Sequence, residues 1–320
     1  MPASHSANRV AIRLFTYLDD DGPAVGLLTA EDRVVRLEAG EGGLDLVIVE
    51  GRLDQLRVEA LSRSREREPG VPMEELRALP ALEFPGKIVG IGLNYRDHVE
   101  EQHLETPTAP TLFAMFGNTV VGDGEPIVRP EGTHALDLEV ELGVVIGRRA
   151  RRVPAADAMD HVAGYLVVND VTARDWQGNR GALAEGQKGD GQWLRAKGSD
   201  TFFPIGPYFV DALSVPDPHA LRLRSWRIPG AGPDRGRPQL MQDGTTADML
   251  FRVPELIEFV SRQIALEPGD ILSTGTPAGV GVFRVPPIFL APGDRVRCEV
   301  QGIGTVENPI VEWSDVREDD

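Results

Sequence analysis

The stretch LDLEVELGVVIG, residues 136–147, constrains the fold most strongly, because it combines a core-like strand with three acids. Asp137, Glu139 and Glu141 alternate with apolar residues in it. A strand has a side-chain period of two, so these three carboxylates are expected to share one face. Like charges this close raise each other's pKa and oppose folding. The folded chain must therefore neutralise the three acids or leave them in water.

A divalent cation is one way to neutralise such a face. Two or three carboxylates suit a hard ion with oxygen ligands, such as Mg²⁺, Mn²⁺ or Ca²⁺. Zinc is less natural, because the stretch itself contains no histidine or cysteine. The alternative is an exposed strand face on which each acid is hydrated or paired with an arginine such as Arg148 or Arg149. The spacing alone leaves both interpretations open.

The composition limits what the chain can do. Of its 320 residues 41% are hydrophobic, which is enough for a sizeable core. The net charge of −17 argues against nucleic acid and anionic membrane surfaces as partners, because both would repel the molecule. No apolar run is long enough to span a bilayer, and the N-terminus lacks a signal-peptide core. With a single cysteine, Cys298, expected in the core, we predict a soluble protein of the reducing cytoplasm.

The chain changes character near residue 80. Residues 10–50 alternate in short runs that indicate small strands with a short helix, and residues 52–78 are charged and helix-prone around a Pro-Gly break. We interpret residues 1–80 as a small N-terminal α+β domain with its linker. From Lys87 onwards, strand-like runs are separated by Gly, Pro and Asp, which is typical of a barrel or a rolled sandwich.

Two helices and one loop interrupt this β pattern. YRDHVEEQH predicts a short helix, and the segment from Val253-Pro254 predicts a structural helix with apolar residues at helical spacing, namely Leu256, Ile257, Val260 and Ile264. Residues 178–192 are rich in glycine and poor in apolar residues, so they predict a mobile loop. That loop is interpreted either as a lid or as a solvated loop without function.

A second group of polar residues follows the strand in YLVVNDVTARDWQ, residues 165–177. Asp170 is placed to add a third carboxylate ligand, and Arg174 to bind a substrate carboxylate with two hydrogen bonds. Alternatively, Asp170 caps a helix and Arg174 forms a surface pair with Asp175.

Three further features have both a functional and an ordinary interpretation. On a helix, His98 faces Glu101 at i+3, as in a general base oriented by a carboxylate, or as in an ordinary surface pair. GDILSTGTPAGVG, residues 269–281, lacks the P-loop pattern but predicts either an anion-binding nest with Thr276 or a tight turn. Lys197 is a functional cation or one of the many surface lysines.

These motifs occur together, and in their order along the chain they resemble the fumarylacetoacetate hydrolase family over roughly residues 85–312. The resemblance implies an α+β, mostly β fold: a mixed β-roll or barrel catalytic domain over residues 85–315, after the small N-terminal domain. It also implies a homodimer and a Mg²⁺ or Mn²⁺ site. The implied metal ligands are Glu139, Glu141 and Asp170, whereas Asp137 would be a structural acid.

The resemblance also assigns roles around the metal. The implied catalytic residues are His98 and Glu101, as a water-activating dyad, and Lys197. The implied substrate contacts are Arg174, Gln177 and Thr276. Two departures from the family pattern bear on the choice of substrate. Gly198 follows the lysine, which would widen the pocket, and residues 227–244 form a longer loop in place of a hairpin.

The implied reaction is hydrolysis of a C–C bond in a 2,4-dioxo acid of the acylpyruvate or fumarylpyruvate type, through an enolate held by the metal and Lys197. The alternatives on the same site are an oxaloacetate-type decarboxylase and a dienoate isomerase or tautomerase. A catalytically inert protein that binds a small keto acid is a further alternative.

Overall fold

The N-terminal part of the chain combines short strands with two helices. The computed structural model describes residues 11–66, 68–183 and 189–315. The first elements are the strands β1 (Arg13–Asp19), β2 (Gly22–Leu28), β3 (Arg33–Arg36), β4 (Val71–Pro72) and β5 (Arg77–Ala78), and the helices α1 (Gly43–Val49) and α2 (Leu53–Glu66). The expected short helix is α1, which buries Leu44, Val47 and Ile48. Helix α2 confirms the helix expected before the Pro-Gly break.

The middle of the chain supplies most of the candidate functional residues. Its strands are β6 (Ile88–Gly92), β7 (Thr111–Met115), β8 (Val120–Val121), β9 (Ile127–Arg129), β10 (Leu136–Asp137), β11 (Val140–Ile146), β12 (Val162–Asn169) and β13 (Thr172–Ala173). Its helices are α3 (Arg96–Glu101) and α4 (Arg174–Gln177). Helix α3 is the short helix expected in YRDHVEEQH.

The C-terminal part is again mostly β. Its helices are α5 (Trp193–Lys197) and α6 (Val253–Ser261). Its strands are β14 (Phe203–Pro204), β15 (Tyr208–Asp211), β16 (Arg222–Ile228), β17 (Gln239–Thr245), β18 (Ile271–Ser273), β19 (Arg295–Val300) and β20 (Gly304–Glu312). The prediction of a loop over residues 227–244 is wrong at both ends of that range, because they belong to the paired strands β16 and β17.

Two mixed sheets organise these strands. The large sheet has the order β4-β3-β2-β1-β15-β12-β11-β18-β6-β7, with β5 beside β1, and the second sheet has the order β17-β16-β19-β20-β9. Most neighbours are antiparallel, but β18 pairs with β6 and β20 with β9 in parallel. Within the described ranges the large sheet runs open from β4 to β7 and does not close into a barrel. The α+β, mostly β class is therefore confirmed, in the form of open mixed sheets.

The N-terminal strands extend the large sheet. β1 pairs with β15, with Arg13 opposite Val210, so the sheet continues from the N-terminal strands into the rest of the chain. The division into residues 1–80 and 85–315 stays a prediction.

Strands β11 and β12 form the centre of the core, because every residue in both is buried. Helix α6 packs on this core through Leu256, Ile257 and Val260, which confirms its structural role. Ile264 was wrongly expected on the same face, because the helix ends at Ser261 and Ile264 is 39% exposed. Cys298 is buried as expected. In the part of the chain that the structure describes, no helix has the length and apolar character needed to cross a membrane.

Candidate functional site

The three acids of the opening stretch are buried, at 1% exposure for Asp137, 6% for Glu139 and 1% for Glu141. The alternative of a hydrated strand face is therefore wrong. The prediction of one continuous strand also needs correction, because β10 ends at Asp137 and β11 begins only at Val140. A different set of partners satisfies each acid.

Asp137 is neutralised by Arg174 and by backbone donors. Arg174 Nε donates to Asp137 Oδ2 over 2.9 Å, and both side chains are buried. The backbone N–H groups of Gly281 and Val282 donate to the same carboxylate over 2.7 and 3.0 Å. Asp137 is thus held by one guanidinium and the end of the glycine-rich loop, in agreement with its expected structural role.

Glu139 lies between two cations. Arg174 Nη2 is 2.6 Å from Glu139 Oε1, an ion-pair contact, and Lys197 Nζ donates to Glu139 Oε2 over 2.8 Å. Lys197 Nζ also donates to Asp170 Oδ2 over 2.6 Å and to Thr172 Oγ1 over 2.8 Å. Lys197 is only 2% exposed, so the interpretation as a surface lysine is wrong.

Glu141 differs from Glu139 in having neutral partners. Its Oε2 accepts hydrogen bonds from Ser273 Oγ over 2.5 Å and from the backbone N–H of Gly275 over 2.8 Å. Among the residues that the structure describes, no lysine or arginine forms an ion pair with Glu141. A buried carboxylate without a cationic partner is costly unless a cation binds it or it takes up a proton.

Glu139, Glu141 and Asp170 converge on one point. One carboxylate oxygen from each lies within 4.8 Å of the other two, and all three residues are buried. Asp170 Oδ1 is buried and has no hydrogen-bond partner within the described part of the chain. Three hard oxygen donors, one of them unpartnered, fit Mg²⁺ or Mn²⁺ and not a soft metal. The buried acidic triad can therefore hold a divalent ion.

The electrostatics of the triad point the same way. Burial raises the pKa of Asp170 to about 7, against the opposing charge of Lys197. Burial acts to raise the pKa of Glu139 too, but the charges of Lys197 and Arg174 lower it to about 2. Burial, together with the charges of Asp170 and Glu139, raises the pKa of Glu141 well above its usual value. Asp170 and Glu141 thus lack enough positive charge nearby to keep them ionised, and a divalent cation would supply it.

The predicted contact between His98 and Glu101 is present on α3. His98 Nδ1 and Glu101 Oε1 lie 2.6 Å apart, and His98 is buried. The carboxylate favours the tautomer in which Nδ1 carries the proton, so Nε2 is left as an acceptor. Glu101 Oε2 in turn accepts from the backbone N–H of Gly279 over 3.0 Å. The imidazole is therefore oriented by a carboxylate that is itself fixed.

Backbone N–H groups of the glycine-rich loop, residues 275–282, donate hydrogen bonds to carboxylate side chains of the same chain. Besides the contacts of Gly275, Gly279, Gly281 and Val282 described above, the backbone N–H of Ala278 donates to Asp97 Oδ2 over 3.1 Å. The loop thus fixes the carboxylates of four acids from two different segments. The expected nest exists in this internal form.

Gln242 was missed by the sequence analysis, which placed it in a loop. It is fully buried, and its Nε2 donates to Thr276 Oγ1 over 2.6 Å and to the Pro277 carbonyl over 2.7 Å. Its Oε1 accepts from the backbone N–H of Val140 over 3.0 Å and from Ser225 Oγ. The only signal in the sequence was a polar residue inside a strand-like run, which is common at exposed positions.

A single cavity of about 250 Å³ brings the predicted residues together. Its lining includes seven of the nine predicted site residues: His98, Glu139, Glu141, Arg174, Gln177, Lys197 and Thr276. The other two contact this lining, because Asp170 bonds to Lys197 and Glu101 to His98.

All three expected substrate contacts already have partners within the protein. Arg174 is engaged by Asp137 and Glu139, and its Nη1 donates to Gln177 Oε1 over 3.1 Å. Thr276 Oγ1 donates to the Val140 carbonyl over 2.9 Å. Of the expected loop at 178–192, residues 184–188 lie outside the described residues, so its proposed role as a lid stays a prediction.

This fold is that of a known enzyme family. The family model for the C-terminal domain of fumarylacetoacetate (FAA) hydrolase matches residues 87–311. The mitochondrial oxaloacetate tautomerase FAHD2B of Bos taurus is 41% identical over 288 residues, which cover 86% of each chain. The chain therefore belongs to the fumarylacetoacetate hydrolase family.

Solved structures agree with this assignment. The fumarylacetoacetate hydrolase of Exiguobacterium antarcticum matches with a TM-score of 0.75 and 29% identity, covering 94% of this chain and 99% of that chain. The 2-hydroxyhepta-2,4-diene-1,7-dioate isomerase of Mycobacterium marinum matches with a TM-score of 0.69 and 32% identity, covering 94% and 99%. The chain is thus an enzyme of a family that acts on small organic acids. The homodimer, the cytoplasmic location and the identity of the metal stay predictions.

Proposed function

We propose that the protein catalyses keto–enol tautomerisation of a short 2-oxo diacid of the oxaloacetate type. Two lines of evidence support this. One cavity is lined by a carboxylate-oriented imidazole and by a buried lysine beside an acidic triad, which supplies a base and a cation for an enolate. The relative that is 41% identical is a tautomerase, and of the two solved structures described above one is an isomerase and the other a fumarylacetoacetate hydrolase; the tautomerase alternative therefore fits better than the expected C–C hydrolase.

The chain's own residues perform the proton transfers in this proposal. His98 Nε2 removes a proton from C3, the C3–H electron pair forms the C2=C3 bond, and the carbonyl π pair moves onto the C2 oxygen. Lys197 stabilises that negative charge, because the carboxylates of Asp170 and Glu139 hold its pKa above the usual value although burial opposes this. His98 then returns the proton to the C2 oxygen, which gives the enol. Glu101 keeps the imidazole in the required tautomer throughout.

Glu139, Glu141 and Asp170 would hold Mg²⁺ or Mn²⁺ in this scheme. The ion, when bound, supplies Lewis-acid polarisation of the 2-oxo acid. Arg174 keeps Asp137 and Glu139 in place, and Gln177, which lines the cavity, orients the substrate.

The test follows the loss of enol absorbance of oxaloacetate, first with Mg²⁺ and then with EDTA. General-base catalysis contributes about 10²–10⁴-fold, so His98→Gln is expected to lose at least about 10²-fold in rate. His103→Asn is the matched control, because His103 is an exposed histidine just after the same helix. Wild-type rates in His98→Gln would refute the proposed base.

Hydrolysis of a 2,4-dioxo acid is the second candidate, favoured by the geometry of Glu101. Its two oxygens are fixed by His98 and by the backbone of Gly279, as required of a dyad that activates water. Release of pyruvate and a second acid from acetylpyruvate would establish the hydrolase. Release of CO₂ from oxaloacetate would instead indicate the decarboxylase alternative, which needs no activated water and should tolerate Glu101→Gln better.

A further inference from the structure

Two aromatic side chains, Phe113 on β7 and Trp193 on α5, line the same cavity as the triad. Their ring centroids lie 5.4 Å apart and their planes are tilted by 58°. Both side chains are only partly buried. We call these two rings the aromatic wall.

Two glycines on β6 make room for the wall. Gly90 lies opposite Phe113 in the pairing of β6 with β7, and a Cβ on Gly90 would lie 2.2 Å from the Phe113 ring. A Cβ on Gly92 would lie 3.2 Å from Trp193 Cζ3. Positions 90 and 92 share one face of the strand, because the side-chain period is two. Each ring therefore packs directly against the strand backbone, in space that a side chain at position 90 or 92 would otherwise fill.

The wall is in contact with the proposed catalytic machinery. Lys197 Nζ lies 5.0 Å from the centroid of the Phe113 ring. Trp193 and Lys197 are four residues apart on α5, so they lie on the same side of the helix. The aromatic wall thus lies beside the lysine that bonds to the triad.

An aromatic ring across from a glycine also stabilises the edge of a sheet. That role alone explains Phe113 over Gly90, but it does not explain Trp193, which comes from a helix and rests on a second glycine. Flat aromatic faces exposed to a cavity stack with planar groups, and such stacking adds to simple burial.

Resting on the proposed function, we propose that Trp193 and Phe113 of the aromatic wall determine specificity, and that they let the site take 2-oxo acids that carry an aryl group on C3. The 2-oxo acid end would be held by Lys197 and by a divalent ion bound at the triad, and the aryl ring stacks on Trp193 and Phe113. This substrate class is wider than the four-carbon diacid.

The test measures binding by isothermal titration calorimetry with Mg²⁺ present, so that it does not depend on turnover. The ligands are pyruvate, 3-phenyl-2-oxopropanoate and its 3-cyclohexyl analogue, which has a ring of similar size that is not planar. Wild type is expected to bind the phenyl acid about tenfold more tightly than pyruvate, because the ring is buried. It should prefer the phenyl over the cyclohexyl acid by about two- to tenfold, because only the phenyl ring stacks.

Three variants separate the wall from the rest of the site. Trp193→Ala is expected to lose most of the preference for the phenyl acid and to leave pyruvate affinity within about twofold. Trp193→Phe should recover much of the preference. Gly92→Ala keeps the tryptophan but displaces it by a few tenths of an ångström, so it should reduce the preference without loss of pyruvate binding.

The outcomes distinguish this inference from the proposed function. Equal affinity for the phenyl and cyclohexyl acids, or an equal loss of affinity for all ligands in Trp193→Ala, would refute the specificity role of the aromatic wall. Either result would leave the proposed function intact. If none of the three acids bound to the wild type, both would be overturned.

Discussion

Replacement of Arg174 by methionine tests how the buried acids are held. The guanidinium contacts Asp137 at 2.9 Å and Glu139 at 2.6 Å, and all three side chains are almost fully buried. Removal of one partner from a buried ion pair costs about 3–5 kcal/mol. Asp137 keeps two backbone donors of the glycine-rich loop, and Glu139 keeps Lys197. We therefore expect a loss in the free energy of unfolding near the lower limit, about 3 kcal/mol.

This loss converts into a measurable change in melting temperature. An unfolding entropy of about 2.1 cal/mol/K per residue, taken over 320 residues, gives a fall in Tm of about 4–5 °C. The assay is thermal unfolding by circular dichroism without metal. The matched control is Arg149→Met, which removes an exposed pair with Glu267 and should cost at most about 1 kcal/mol.

Added Mg²⁺ extends the same experiment to the metal site. If Glu139 is a ligand, Mg²⁺ should raise the Tm of Arg174→Met more than that of wild type, because the guanidinium no longer competes for this carboxylate. A variant that melts within about 1 °C of wild type would refute the structural role of Arg174. Its expected role as a direct substrate contact would then regain support.

Three further predictions concern separate parts of the molecule. Glu141→Gln should abolish the rise in Tm that Mn²⁺ causes, whereas the exposed Glu105→Gln should keep it; a normal rise in Glu141→Gln would remove Glu141 from the ligand set. Asp97→Asn loses the charge that holds the backbone N–H of Ala278, so kcat should fall by about tenfold with Mg²⁺ affinity unchanged by calorimetry; equal kcat would contradict a positioning role. His219 Nε2 accepts from a backbone N–H at the start of α6, and burial, with the charge of Arg252, lowers its pKa although Asp217 opposes this. Because the unfolded chain then binds the proton more readily, wild-type Tm should fall below about pH 6.5 more steeply than that of His219→Gln, and parallel pH profiles would refute this.

Local patterns in the sequence were sufficient for several elements and contacts. The i, i+3 spacing brought His98 and Glu101 together because both lie on one helix, where geometry depends on the sequence separation alone. The apolar periodicity of α6 and the strand-like runs of β11 and β12 were read correctly for the same reason. The order of the motifs also indicated the family, which the comparisons confirm.

Residues far apart in sequence were harder to relate. Apart from the family resemblance, nothing near Lys197 in the chain indicates that its ammonium lies between Glu139 and Asp170, because this depends on how α5 packs against α4, β7 and β13. Gln242 was assigned to a loop because a buried amide is recognisable only when all its partners are in place. The packing of the aromatic rings over Gly90 and Gly92 likewise depends on the pairing of β6 with β7 and on the position of α5.

Residues 136–147 show which properties follow from the sequence and which depend on the tertiary structure. By itself the sequence determined that three acids alternate with core residues and that something must neutralise them, because this follows from the period of a strand and from Coulomb repulsion. Only the tertiary structure decided the answer for each acid: Arg174 and backbone N–H groups for Asp137, two cations for Glu139, and neutral donors for Glu141. Burial and the geometry of partners from distant segments set the charge balance of a site, and the sequence specifies neither until the chain has folded.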